Sequence, residues 1–253
     1  MTVHQTDTGT WLRRFHPAPE SSCRLICLPH AGGSAVSYFS ISAAMCPTAE
    51  VLAVQYPGRH DRRREPCFAS LAELADELCA VVRSVDPPLA LFGHSLGAVA
   101  AFELARRLER DAGVSPVGLF VSGRRAPSLI RAEHVHRRDD DGLVAELRSL
   151  GGIDTRILDD PEVLRMVLPA IRSDYQAIET YEYRPGPPLT CPVTALVGTE
   201  DPRAPVDEVQ QWQRETVGPF RLVTFPGGHF YLDAQQERVV EAIRGQLAET
   251  SRR

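Results

Sequence analysis

The stretch Gly93-His94-Ser95-Leu96-Gly97 brackets one serine between two glycines. A short apolar run, Leu89 to Phe92, precedes it, and small residues at helical spacing follow. In a strand–turn–helix setting such glycines permit a turn sharp enough to push the serine hydroxyl out above the carboxyl ends of the strands. The same turn sets Ser95 at a helix N-terminus, where unpaired N–H groups and the helix dipole favour negative charge on a reacting oxygen. The chemistry this suits is nucleophilic attack on an acyl carbon.

A serine hydroxyl is too weakly acidic to attack unaided, so a base must stand within hydrogen-bond reach and a third group must orient that base. In this setting the chain order is serine, acid, histidine. Of the 8 histidines only His229 follows the late strands, on the loop Pro226-Gly227-Gly228-His229-Phe230, and it is the expected base. His30 and His94 precede the acid in the chain and are expected to pack or hydrogen-bond around the loops. For the acid, Asp154, Asp159, Asp160, Asp174, Asp201, Asp207 and Asp233 all lie after the serine. Asp201 is best placed, just past the apolar run Val193 to Val197, with Gly198 to turn the loop and Pro202 to fix it; Glu200 is its close rival. A developing oxyanion also needs donors. The backbone N–H of Leu96 supplies one, and Ala31, in Pro29-His30-Ala31-Gly32-Gly33-Ser34, is the expected second.

These residues need a scaffold that brings strand ends together. Short apolar runs at 24–28, 51–56, 89–92, 117–121, 193–197 and 222–225 read as buried strands. Between and after them, helical spacing is expected over 37–45, 71–82 with Ser70 as N-cap, 98–110, 141–150, 161–181 and 237–247. Alternating strands and helices imply an α/β fold with a mostly parallel sheet covered on both faces. One connection breaks the rhythm, a charged insertion over about 124–192, and a connection of that length is expected to act as a cap or lid.

At 253 residues, 43% of them hydrophobic, the chain fits one domain with a sizeable core. A formal net charge of -5 argues against a surface built to displace phosphate counterions, so no nucleic-acid partner is expected. No apolar run approaches the roughly 20 residues of a membrane-spanning helix. The N-terminal residues lack a basic cap followed by an apolar stretch, which points to a cytoplasmic protein. The 6 cysteines form no C-x-x-C pair and no metal-ligand spacing, as expected of reduced, mostly buried thiols. The run Arg59 to Glu65 is either a basic rim facing an acidic partner or a solvated loop of arginine–carboxylate contacts, the latter being the plainer reading.

Taken in order, Pro29-His30-Ala31-Gly32-Gly33-Ser34, Gln55-Tyr56-Pro57-Gly58-Arg59 with Arg62 and Glu65-Pro66, Gly93-His94-Ser95-Leu96-Gly97, Gly198-Thr199-Glu200-Asp201 and Gly227-Gly228-His229-Phe230 resemble the type II thioesterases that accompany polyketide synthases and nonribosomal peptide synthetases. The resemblance runs from about residue 23 to 245. It implies an α/β-hydrolase that clears stalled or misprimed acyl groups from the phosphopantetheine arm of an acyl or peptidyl carrier protein, with no cofactor of its own. It also implies that Ser95 forms the acyl-enzyme, His229 relays protons, Asp201 holds His229, and Ala31 and Leu96 form the oxyanion hole. The residues alone reach only a serine acyl hydrolase, which leaves a carboxylesterase or lipase as a rival and a silent carrier-binding scaffold as another. A chain-releasing thioesterase cut from a larger synthase is a third variant, against which stand the initial methionine and the lack of a carrier-like segment. A monomer is expected.

Overall fold

The computed structural model describes residues 8–68, 70–129, 131–152 and 158–250. Seven strands form one sheet: β1 (Leu12–Arg13), β2 (Arg24–Leu28), β3 (Glu50–Val54), β4 (Leu89–His94), β5 (Gly118–Ser122), β6 (Val193–Gly198) and β7 (Phe220–Phe225). Their order across the sheet is β1-β3-β2-β4-β5-β6-β7. Only β1 runs antiparallel, against β3; every other neighbouring pair is parallel. The helices are α1 (Thr8–Trp11), α2 (Phe39–Met45), α3 (Leu71–Val82), α4 (Leu96–Arg107), α5 (Asp140–Leu150), α6 (Pro161–Glu179), α7 (Val206–Gln210), α8 (Tyr231–Ala234) and α9 (Gln236–Thr250).

The central strands are apolar on both faces, and the helices divide between those faces accordingly. Leu25, Cys27, Ala90 and Phe92 pack in one cluster with Ile41, Met45, Val240 and Ile243 of α2 and α9. Their alternate neighbours Ile26, Leu28, Leu89 and Leu91 pack in the other with Leu74, Leu78, Val99 and Leu104 of α3 and α4. This is the period of two that a strand imposes, buried on both sides as parallel sheets require. Leu91 is fully buried, and truncating it to alanine would cost about 3 kcal/mol.

The chain lays β2 and β3 outward in one direction and then crosses back to place β4 on the other side of β2. That reversal opens a crevice beyond the carboxyl ends of β2 and β4, where α/β sheets place their ligands. The loops after β2, β4, β6 and β7 all leave the sheet at this end.

The predicted α3 appears with its stated ends, and Ser70 caps it by accepting from the Glu73 N–H at 3.2 Å. The helix after β4 begins at Leu96 rather than 98 and ends its regular turns at Arg107, followed by a wide π turn to Ala112 and Gly113 at φ 64°. β1, only two residues long, has no readable alternation and was not expected from the sequence. The connection between β5 and β6 carries α5 and α6 and its own small core of Val135, Leu143, Leu147, Leu158, Leu168 and Ile171. Within it, residues 130 and 153–157, including Asp154, lie outside the described residues, as do residues 1–7 of the N-terminal reading.

Candidate active site

Ser95 sits between the end of β4 and the start of α4 with φ 54° and ψ -115°. A positive φ of this kind is strained for any side-chain-bearing residue and clusters at functional sites. The surroundings impose it. Ser95 N–H donates to the Ser122 carbonyl at 2.8 Å, extending the β4–β5 ladder, while its carbonyl accepts from Ala98 N–H at 3.0 Å as α4 begins. A Cβ on Gly93 would overlap the Gly97 carbonyl, and one on Gly97 would overlap the Leu28 carbonyl of β2. The two glycines of the sequence motif are therefore needed for close backbone approach, and they seat α4 directly against the end of β2. As the first residue of α4, Leu96 carries one of the N–H groups that a helix leaves without an intrahelical acceptor.

His229 lies on the loop after β7, and its Nδ1 is 2.8 Å from Asp201 Oδ2. A carboxylate oxygen accepts, so Nδ1–H donates and the neutral ring keeps Nε2 as an acceptor. Asp201 is itself held: Oδ1 accepts from Arg203 N–H at 2.8 Å. The loop that carries it is tied to the His229 loop by Thr199 N–H to Phe225 O and Glu200 N–H to Gly227 O. Glu200 is exposed, whereas Asp201 is buried. Of the remaining carboxylate candidates, Asp159 pairs with Arg148, Asp160 caps α6, Asp207 and Asp233 sit in the first turns of α7 and α8, and Asp174 is engaged elsewhere, with Arg59.

Ser95, Leu96, Ala31 and His229 line one cavity of about 40 Å³, together with His30, Phe230 and residues of the β5–β6 connection. Leu147, Leu150 and Gly151 at the end of α5, and Tyr175, Ile178 and Glu179 of α6, close it from above. Pockets that hold an organic ligand run to roughly 300–1,000 Å³, so the cavity outlined by the described residues is smaller than such a pocket.

His30 and His94 surround the base without titrating near neutrality. Burial, then the nearby His229 and Arg59, lower the His30 pKa to about 3. Burial, with His229 and His30 beside it, holds His94 well below the usual imidazole value. The His94 and His229 ring centroids are 5.0 Å apart, and Phe230 packs edge-on against His229 at 5.1 Å. His94 Nδ1 meets Ser122 Oγ at 2.9 Å, and Ser122 Oγ meets the Tyr231 hydroxyl at 2.6 Å. His94 thus packs and hydrogen-bonds, His30 packs against the His94 and Phe230 rings, and both keep further positive charge away from an imidazolium at His229.

Sequence reasoning missed the charged lining. Arg124, Glu133, Glu179 and Arg203 all face this cavity. Glu133 accepts from Arg125 at 3.1 Å and Arg203 at 3.0 Å, and burial together with neighbouring Arg125 lowers the Arg124 pKa to about 10. Arg124 stands just past the end of β5, a placement that the same strand-end reasoning applied to Asp201 could have flagged.

A strained serine at a helix N-terminus, a buried histidine oriented by a carboxylate, and a mostly parallel sheet that delivers both from its carboxyl edge define a serine hydrolase of the α/β-hydrolase type. Residues 23–247 match the family model described as the thioesterase domain, and the chain belongs to that family. It is 55% identical to Thioesterase PikA5 of Streptomyces venezuelae over 246 residues, 96% of this chain and 88% of that one. Among solved structures it resembles the type II thioesterase BorB from the borrelidin biosynthetic cluster, with a TM-score of 0.89 and 51% identity over 94% of this chain and 98% of that one. It also resembles the RedJ thioesterase from the prodiginine biosynthetic pathway in Streptomyces coelicolor, with a TM-score of 0.86 and 33% identity over 91% of this chain and 87% of that one.

Proposed function

We propose that this chain is an editing type II thioesterase that hydrolyses stalled or aberrant acyl groups from the phosphopantetheine arm of acyl or peptidyl carrier proteins in polyketide or nonribosomal peptide biosynthesis. The observation that carries the reading is the Asp201–His229 hydrogen bond of 2.8 Å beside the cavity that Ser95 lines, within a chain of the thioesterase family.

In this reading Ser95 gives its proton to His229 Nε2 and its oxygen adds to the thioester carbonyl. The oxyanion is held by the Ala31 and Leu96 N–H groups. Collapse breaks the C–S bond, and the carrier thiol leaves with the proton from His229. Water, deprotonated by the same nitrogen, then attacks the acyl-enzyme, releasing a carboxylic acid and restoring Ser95. Asp201 steadies the imidazolium formed in both halves. The balance closes with water alone, so no cofactor is needed.

The connection over about 124–192 serves as the lid, a role supported by the small cavity beneath α5 and α6. The enzyme works as a cytoplasmic monomer that meets its carrier transiently. The 6 free cysteines, 4 of them buried, suit a reducing compartment, and light scattering on the purified protein tests the monomer.

The test is mass spectrometry of acyl carrier proteins incubated with wild-type and Ser95→Ala protein. Loss of acyl groups with the wild type alone is the expected result. A matched oxygen ester hydrolysed faster than the thioester would instead make the protein a carboxylesterase, and no hydrolysis of either would leave a carrier-binding scaffold.

A further inference from the structure

Asp174 is a fully enclosed carboxylate near the site, with 0% of its surface exposed, and it belongs to α6 of the β5–β6 connection. Its Oδ1 accepts from Arg59 Nη2 at 2.7 Å, and its Oδ2 from Arg59 Nη1 at 2.7 Å. That same Oδ2 also accepts the backbone N–H of Gly32 at 2.8 Å. Arg59 Nη1 in turn donates to the Gly33 carbonyl at 3.0 Å. Burial works against the Arg59 cation, but the charge and hydrogen bonds of Asp174 outweigh it and push its pKa up.

The loop from His30 to Gly33 is thus clamped on both sides of its turn, which Gly33 N–H closes onto the His30 carbonyl at 2.9 Å. Gly32 has φ 78°, and a Cβ there would crowd Ile171, one turn before Asp174 on α6. Helix and loop therefore touch twice, once by packing and once by hydrogen bond. A buried carboxylate needs donors beyond one arginine, and here the further donor is the Gly32 N–H, which ties the ion pair to the loop that carries Ala31.

We propose that Asp174 is a positioning residue for the oxyanion hole: from α6 it accepts the Gly32 N–H and so fixes the loop that aims the Ala31 N–H at the oxygen developing beside Ser95. The inference rests on the serine-hydrolase roles given above for Ser95 and Ala31. Its consequence is a coupling. Because the acceptor rides on the lid, an outward shift of α6 withdraws the support of the loop, and the hole is complete only when α6 is seated. Hydrolysis of a half-entered acyl group is thereby disfavoured.

The experiment compares wild type, Asp174→Ala, Asp174→Asn and Ser95→Ala on a small acyl thioester, alongside the affinity of an alkylboronic acid, whose tetrahedral serine adduct places an oxygen in the hole. Removing an oxyanion donor costs about 10²–10³-fold in kcat, and loosening one should cost Asp174→Ala about 10- to 100-fold. KM should change little, and boronate affinity should fall by the same factor as kcat. Asp174→Asn, whose carbonyl can still accept from Gly32, should recover part of both. A folded Asp174→Ala with wild-type kcat, a loss confined to KM, or a kcat loss with wild-type boronate affinity each overturns the proposal. If Asp174→Ala does not fold, Arg59→Met/Asp174→Leu replaces the buried pair by apolar groups, a change folds often tolerate, and is judged by the same readings. Failure of the underlying serine-hydrolase reading looks different: Ser95→Ala would then retain turnover, whatever Asp174 does.

Discussion

Asp201 Oδ2 and His229 Nδ1 stand 2.8 Å apart, with 0% and 4% of their side chains exposed. Enclosure gives this bond more weight than a surface pair has, because water neither screens it nor competes for it. The carboxylate fixes the ring so that Nε2 is the free nitrogen, and it awaits the positive charge the ring acquires when it takes a proton.

Asp201→Asn should therefore lower kcat by about 10³–10⁴-fold, since an amide there favours the wrong tautomer and cannot balance the imidazolium. The fold should survive, because the amide oxygen can still accept from Arg203 N–H. Glu200→Gln, at an exposed position, should stay within about twofold of wild type. Steady-state kinetics on a small acyl thioester distinguish the two, and an Asp201→Asn enzyme retaining a large share of wild-type kcat would remove Asp201 from its role.

Ser95 at φ 54° stores strain that glycine would not. Ser95→Gly should abolish hydrolysis and raise unfolding stability by about 1 kcal/mol, the relief of strain being partly offset by the greater entropy of the unfolded glycine. Urea titration reads this directly. Equal or lower stability would mean that the serine backbone is not strained in solution.

Acid should destabilise the protein through its neutral histidines. The ordinary imidazole value is 6.5, while burial first, and then the neighbouring His229 and Arg59, take folded His30 to about 3. His94 is lowered well below the same reference. Between these limits the unfolded chain binds protons that the folded one refuses, so stability is full above pH 6.5 and falls as the pH drops toward 3. Each such group contributes a slope of about 1.4 kcal/mol per pH unit. Urea midpoints from pH 6 to 4 should fall less steeply for His30→Gln, by about one group's slope. Identical slopes would show that His30 charges normally in the folded protein.

What was legible in the sequence and what was not divides by distance along the chain. Strand β2, helix α3 with its Ser70 cap, and the Gly93–Gly97 bracket are local patterns, and each appears where the residues indicated. Strand-end position is local too and pointed to the Glu200–Asp201 pair, with Glu200 a close rival; the structure brings Asp201, not Glu200, to His229. The Arg59–Asp174 clamp joins residues 115 positions apart, and no periodicity links them. Asp174 stood in the sequence only as one aspartate among several after the serine.

The run Arg59 to Glu65 shows the same limit, because a row of charges does not reveal which of them turn inward. Arg59 is buried against Asp174, and Arg62, 6% exposed, lies over the Trp11 ring at 4.2 Å, donates to the Gln55 carbonyl at 2.8 Å and pairs with Glu65. These two make the expected arginine–carboxylate contacts but are buried rather than solvated, and a basic rim is left to Arg63 and Arg64, which are exposed. Arg62→Ala should accordingly cost about 2 kcal/mol of stability, through lost bonds and packing. Reversal of Arg63 and Arg64 to glutamate should leave stability alone. If those two meet an acidic carrier, the double reversal should raise KM several-fold for a carrier-bound acyl group at low salt but not for a small thioester, and high salt should erase the difference. Equal effects on the two substrates, or none on either, would place the carrier contact on another face.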